Sequence, residues 1–300
     1  MPASSITPPL WLAPLRGVTI RAFRASFSTA LREAGFVGAV APFIPANPGL
    51  RITGKLMADL SPCATDVDIP LVPQIITRHM EAMRTLLRAF LDAGFKRVDL
   101  NAGCPFPMVM RRGRGAGLFR TPDVLERLLE VGCEEMGEGR FSLKVRLGIE
   151  RTDELLSLMP RINKYPLAML TIHARTARQM YSGSCDRDAF ATVRSASTNP
   201  VTYNGDVELP PVALPPCDAA MIGRGFVRAL GARPDAATML ARYIEMSAKE
   251  LHGDWPVLGR IKELLTYWQC HESWRRIWPS AKICRTLDEM QQVLRPMMKA

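Results

Sequence analysis

The sequence has no long apolar run. Its uncharged apolar stretches stay under about ten residues, short of the ~20 that a membrane-spanning helix needs. Residues 1–10 lack the basic head and apolar core of a signal peptide, so a cytoplasmic location and no membrane partner are expected. Histidine is scarce: His79, His173, His252 and His271 stand alone, with no H-E-x-x-H spacing. The cysteines (Cys63, Cys104, Cys133, Cys185, Cys217, Cys270 and Cys284) are odd in number and form no C-x-x-C pair. That pattern argues against a disulfide scaffold and a zinc site. No metal is expected, and most of the thiols should be small buried hydrophobes. Tandem repeats and low-complexity segments are also absent. Acid is in deficit, with 29 Asp and Glu against 39 Lys and Arg, a net charge of +10. What is present is 47% hydrophobic residues, 23% charged residues and a mean hydropathy of zero. This describes a globular protein with a full core, not a disordered chain or a coiled coil.

Three hundred residues suit a (β/α)8 barrel, or one α/β domain with an appendage. Short β-rich runs fall at 10–13, 38–43, 71–75, 97–100, 142–146, 168–173, 201–203 and 219–222. Amphipathic stretches such as 80–93 and 122–132 lie between them. Strand–helix alternation repeated eight times predicts parallel strands closed into a barrel, with an open doubly wound sheet as the competitor. The crossover at 205–217 carries Pro210, Pro211, Pro215 and Pro216, and should be short or mostly loop. Beyond Gly225 only helical spacing continues, at 237–247, 257–268 and 288–297. Two domains are expected, a barrel over 1–232 and an all-helical domain over 233–300. Trp255, Trp268, Trp274 and Trp278 fall in the second, most of them as core.

Barrel enzymes work at the C-terminal ends of their strands. Those ends carry Pro14 and Leu15, then Gln74, then Asn101 to Pro105, then Lys144 and Arg146, then His173 and Arg175, then Asn204, Gly205 and Asp206, and last Gly223, Arg224 and Gly225. The glycine-bearing turns after the last two strands suit a phosphate group. Lys144 sits at an interior position where an unpaired ammonium is costly. It and His173 can face the electron-rich atoms of one cofactor. Gln74 can hydrogen-bond a planar heterocycle. Cys104 opens a glycine- and arginine-rich loop reaching Leu118, with Arg111, Arg112 and Arg114. A loop of that size reads as a lid or binding segment, and a thiol on it can deliver a proton.

Taken in order, Ala13-Pro14-Leu15-Arg16-Gly17-Val18-Thr19, Asn101-Ala102-Gly103-Cys104-Pro105, Gly113-Arg114-Gly115-Ala116-Gly117-Leu118, Lys144-Val145-Arg146-Leu147-Gly148, His173-Ala174-Arg175-Thr176, Tyr181-Ser182-Gly183, Asn204-Gly205-Asp206 and Ile222-Gly223-Arg224-Gly225 resemble the tRNA-dihydrouridine synthase family. The tail segment 259–268 is similar to the helical domain of the bacterial C-type members, which favour position 16 of the D-loop. The resemblance implies an FMN-binding barrel, reduced by NADPH, followed by a helical tRNA-binding domain; the protein is expected to be a monomer. It gives Cys104 the role of proton donor to C5 of a D-loop uridine, with the flavin as hydride donor to C6. It places Pro14, Leu15, Gln74, Lys144, His173, Asn204, Gly205, Asp206, Gly223 and Arg224 around the flavin. Asn101, Arg175, Arg111 and Arg112 would meet the substrate. Leu15 stands where methionine is usual in the family, and Ile20 where aspartate is common. Two other readings fit parts of the sequence: an FMN barrel acting on a small molecule, like dihydroorotate dehydrogenase, and a tRNA-binding protein without catalysis.

Overall fold

Side chains alternate between the two faces of a strand, and here that alternation divides apolar from polar. The computed structural model describes residues 8–61 and 69–298. Residues 1–7 and Cys63 lie outside them, and the expectations placed on those residues go with them. The strand segments are β1 (Leu10–Leu12), β2 (Phe36–Val40), β3 (Ile44–Pro45), β4 (Leu71–Val72), β5 (Gln74–Ile76), β6 (Val98–Ala102), β7 (Phe141–Gly148), β8 (Met169–Thr176), β9 (Val201–Asn204) and β10 (Ala219–Ile222). Each pairs in parallel with its neighbours.

Two of the expected strands are split. β2 pairs with β4 and β3 with β5, so β2–β3 and β4–β5 are each one interrupted strand. Pro73, which has no N–H to give the ladder, separates the second pair. Joined in this way the ten segments make eight strands, and the order from β5 through β10 to β1, β2 and back to β4 closes a (β/α)8 barrel. The crossover between β9 and β10 contains no helix, in keeping with its prolines.

Outward residues such as Leu143, Val145 and Leu147 on β7, or Leu170 and Ile172 on β8, join the main apolar core beneath the helices. Inward, a small apolar plug of Trp11, Val40, Val72, Met169, Ala219 and Met221 fills the barrel floor. Above it the interior turns polar: Ser142, Thr171 and Thr202, then Gln74, Asp99, Asn101 and His173, all buried. Barrels more often fill such layers with branched aliphatics.

β7 and β8 run further than the sequence pattern indicates, so that Arg146 lies within β7 and not at its end, and Arg175 is drawn into β8. The segment expected as an open loop at 104–118 is folded into the helix Pro107–Arg111 and a 3-10 turn, Gly115–Arg120, whose Ala116 and Leu118 are buried. Of the cysteines described, only Cys104 and Cys284 are buried and Cys270 is exposed, so the expectation of mostly buried thiols is not met.

The tail holds four helices, Ala236–Glu250, Asp254–Trp268, Glu272–Ile283 and Leu287–Met298. The third was not expected, because Pro279 inside it breaks the usual signal. These helices share the barrel's outer core. Tyr243 packs on Phe23 and Phe27, with centroids 6.2 and 5.8 Å apart, and Trp268 on Phe27 at 6.2 Å. The indole N–H groups of Trp268 and Trp274 donate to the carbonyls of Val227 and Gly231, both at 2.8 Å. Trp255, by contrast, is exposed.

Gly132 lies within the helix Pro122–Met136, where a Cβ would stand 2.3 Å from the Phe141 ring. Gly→Ala in an open helix gains about 1 kcal/mol. Here Gly132→Ala is expected to lose about 1–3 kcal/mol through overpacking, read from urea melts.

Candidate functional site

The inward amides and cations of β5 to β9 meet beneath the C-terminal mouth of the barrel. On β5, Gln74 Nε2 donates to Asp99 Oδ2 at 2.7 Å. Its Oε1 accepts from Asn101 Nδ2 at 2.8 Å. Asn101 Oδ1 in turn accepts from the backbone N–H groups of Gly103, at 3.1 Å, and Cys104, at 2.9 Å. The turn is closed from the other side by Ala116 N–H on the Cys104 carbonyl at 3.0 Å. Gly115 there has φ of +57°, and a Cβ on it would lie 2.7 Å from the Cys104 carbonyl oxygen, so only glycine fits. Burial pushes the Cys104 thiol up, outweighing the backbone bond from Phe106 and the charges of Arg146 and Arg16, and the sulfur keeps its proton at neutral pH.

Across the mouth, Lys144 Nζ donates to Asn204 Oδ1 at 2.8 Å, while Asn204 Nδ2 donates to the Met221 carbonyl at 2.8 Å. Burial, helped by Arg146, lowers Lys144 to about 8. Arg146, His173 and Asn204 stand in register on β7, β8 and β9. Arg146 is held by the carbonyls of Gly103, Thr176 and Met180 at 2.7 to 2.9 Å. Burial first, then Arg146, Lys144, Arg175 and Arg224, press His173 well below the usual imidazole range. Arg175 Nη1 lies 3.2 Å from His173 Nε2, which suits a neutral ring protonated on Nδ1. Asp206 pairs with Arg175 and sits 3.6 Å from Arg224. Burial opposes its charge, yet the two guanidinium groups hold the carboxyl below its ordinary range.

Two adjoining cavities open onto these groups. The wider, about 570 Å3, reaches Cys104, Asn101, Lys144, Arg146, His173 and Tyr181. The narrower, about 80 Å3, runs between Asn204, Gly205, Asp206, Gly223 and Arg224. Pro14, Leu15, Lys144 and His173 line both. Gln74 is wholly buried behind the wall, Arg175 is turned into its own bonds behind His173, and neither lines a cavity. Arg111 and Arg112 are exposed outside the mouth, whereas Arg114 is buried and donates to Asn47 Oδ1 at 2.7 Å.

The structure gives places to groups to which the sequence reading assigned no role. Tyr181 lies under two guanidinium groups, with Arg224 4.9 Å and Arg146 5.4 Å from its ring centroid. Arg146 follows Lys144 by two residues, so strand alternation carries a signal for it. No local signal marks Glu263, Thr266 and Tyr267, which the tail helix Asp254–Trp268 brings to the wall of the wide cavity. That helix is anchored by Arg260, whose Nη1 donates to the Gly17 carbonyl at 2.6 Å, just past Leu15. Among the described residues, no group of three or more His, Cys, Asp and Glu is arranged to hold a metal, and no helix is long and apolar enough to cross a membrane.

The family model described as dihydrouridine synthase (Dus) matches residues 11–249. The chain belongs to the dihydrouridine synthase family. It is 34% identical over 209 residues to a probable tRNA-dihydrouridine synthase of Rhodobacter capsulatus, covering 67% of this chain and 61% of that protein. It is 31% identical over 221 residues to tRNA-dihydrouridine synthase B of Vibrio cholerae, covering 72% and 66%. A tRNA-dihydrouridine(16) synthase of Ralstonia nicotianae is 28% identical over 273 residues, covering 85% and 79%. The matches to the first two therefore span slightly less than two thirds of those proteins. Among solved structures, the morphinone reductase N189A mutant in complex with tetrahydroNAD superposes with a TM-score of 0.50 at 12% identity, over 77% of this chain and 90% of that one. At that identity the likeness is one of fold.

Burial raises Asp99 of this dihydrouridine synthase family member from the ordinary 3.8 to about 7, against the bond from Gln74 and the charge of Lys144. Between those values the folded protein holds a proton that the unfolded chain releases, so stability falls as pH rises from about 4 to about 7. Asp99→Asn has no such proton. The stability of the variant relative to the parent should grow across that window, measured by denaturant melts at stepped pH.

Proposed function

We propose that this protein reduces a D-loop uridine of tRNA to 5,6-dihydrouridine, with FMN as bound cofactor, NADPH as reductant and Cys104 as acid. The observation that carries the reading is one cavity holding a buried protonated thiol on one wall and Lys144 with His173 on another. The cavity's size lies in the range of small-molecule and cofactor sites. The cofactor's fit rests on this arrangement. The wide cavity admits a planar ring beside Lys144, and the narrow one, flanked by Gly205, Gly223 and Arg224, suits its phosphate end. Pro14 and Leu15 would pack on the ring. Lys144 and His173 would support its polar edge and ribityl chain, and Gln74 stays behind the wall in its bonds to Asp99 and Asn101. Asn204, Gly205, Asp206, Gly223 and Arg224 would shape the phosphate end.

Bound there, FMN would supply a hydride from NADPH to C6 of the uracil. The chain's own part is to orient the base, exclude water and complete the addition. The Cys104 thiol gives its proton to C5, so that hydride and proton together saturate the C5–C6 bond. A thiol kept protonated by burial is suited to act as an acid rather than a nucleophile. Asn101 is assigned to the wall of the uridine pocket, while Arg175, bonded behind His173, supports that ring instead of meeting the base. The target base must leave its stack to reach such a cavity. Arg16, Arg228 and Tyr267 at the wall, with Arg111 and Arg112 outside, favour a polyanionic RNA over a free pyrimidine. We assign residues 1–232 to catalysis and 233–300 to tRNA binding. The tail segment 259–268 supports kinship with the C-type members.

Cys104→Ala should retain flavin absorbance and tRNA binding while losing turnover by about 100-fold, the scale of a lost general acid. Dihydrouridine formation at the parental rate by that variant would remove the assignment. Faster oxidation of the reduced flavin by free pyrimidines than by tRNA would favour the small-molecule reading. The affinity for tRNA should fall steeply with salt, and replacing Arg111 and Arg112 together by alanine should flatten the log–log slope by about one to two. Filter binding across a salt series checks this.

A further inference from the structure

Asp99 lines neither cavity, yet it is fully buried at the start of the chain of bonds that ends on Cys104. We propose that Asp99 is a positioning residue that sets the direction of the Gln74–Asn101 amide chain, and through it the seat of the Cys104 turn.

A side-chain amide has nearly the same shape in either orientation, but flipping it exchanges donor for acceptor. The Cys104 turn presents two N–H groups, so Asn101 must face it with Oδ1. Asn101 Nδ2 then needs an acceptor, which Gln74 supplies only if its Oε1 faces that way. Gln74 Nε2 is thereby turned to Asp99. A carboxylate oxygen accepts and cannot donate, so it admits only this orientation of Gln74, and the reversed chain would set donor against donor at the Cys104 turn. When Asp99 is protonated this direction remains allowed, and the two N–H groups of the Cys104 turn still require it. Oδ1, the oxygen with no hydrogen-bond partner, can carry the proton while Oδ2 continues to accept.

The seat of Cys104 is the inference; its weight in catalysis rests on the function proposed above. The test uses the full-length, flavin-loaded protein and follows alkylation of Cys104 by iodoacetamide, read by peptide mass spectrometry so that the other thiols do not interfere. Asp99→Leu removes the acceptor while filling its space, and Asp99→Ser leaves a hydroxyl too short to reach Gln74. Losing the bond should loosen the turn and raise the labelling rate of Cys104 roughly tenfold in both variants, the factor that one such hydrogen bond commands. Asp99→Asn keeps an acceptor for Gln74 and should label within about threefold of the parent, by the same measure. At saturating tRNA the Leu variant should lose kcat by about 100-fold, the scale of a misplaced reacting group, with KM little changed. A space-filling role for Asp99 would instead move the melting temperature and leave Cys104 labelling alone.

Labelling of the Leu and Ser variants at the parental rate, or equal labelling of the Leu and Asn variants, would overturn the proposal. If Cys104→Ala proves active while the labelling pattern holds, the proton-donor assignment falls and the positioning role stands. If Cys104→Ala is inactive and labelling does not respond to Asp99, the positioning role alone falls.

Discussion

Charge placed where water is scarce is the constraint on which this structure depends. Lys144, Arg146, His173 and Arg175 project from neighbouring strands into one interior, where each raises the cost of the next. The fold offsets that cost by giving every one of them a partner. Carbonyls at strand ends hold Arg146 and Arg175, Asn204 holds Lys144, and Asp206 answers Arg175 and Arg224. What remains is a neutral imidazole, a lysine that gives up its proton near pH 8, and a field that favours an electron-rich ligand. The same burial keeps the opposite thiol protonated. One physical cause thus prepares both walls.

The tail belongs to the same arrangement. Its Trp268 and Trp274 dock on the barrel through indole bonds to the helix Arg224–Leu230 and the residue following it, and Arg260 ties it to the turn after β1. Gly17, with φ of +85°, lets that turn accept the arginine. A Cβ there would lie 2.7 Å from Arg260 Nη1. Because the docking is fixed at the edge of the cavity, Glu263, Thr266 and Tyr267 form part of its wall.

Much of this was legible in the sequence, for definite reasons. Eight β-rich runs separated by helical spacing imply parallel strands, and parallel strands in that number close into a barrel. Lys144, His173, Asn204 and Gly223 stand out because polar residues and glycines at strand ends are costly or idle unless a ligand uses them, and all four reach the cavities. The Cys104 segment stood out by its glycines, but its packing did not. Ala116 and Leu118 turn a presumed loop into a buried support. In the sequence Arg146 and Arg175 fall at or past strand ends, because arginine inside a sheet runs against its usual exposure. The helix through Pro279 was hidden by the residue that normally ends one.

The sequence by itself determined the strand–helix alternation, the helical tail and the family, and it marked the side chains proposed to carry chemistry. Those follow from periodicity, composition and motif, which are local properties of the chain. Only the tertiary structure decided that Asp99, Gln74 and Asn101 form one directed chain, that Arg175 turns away from the cavity, and that the tail supplies part of its wall. Each of these depends on which atoms face one another across strands and helices far apart in sequence. A donor finds its acceptor only after the strands have closed on each other.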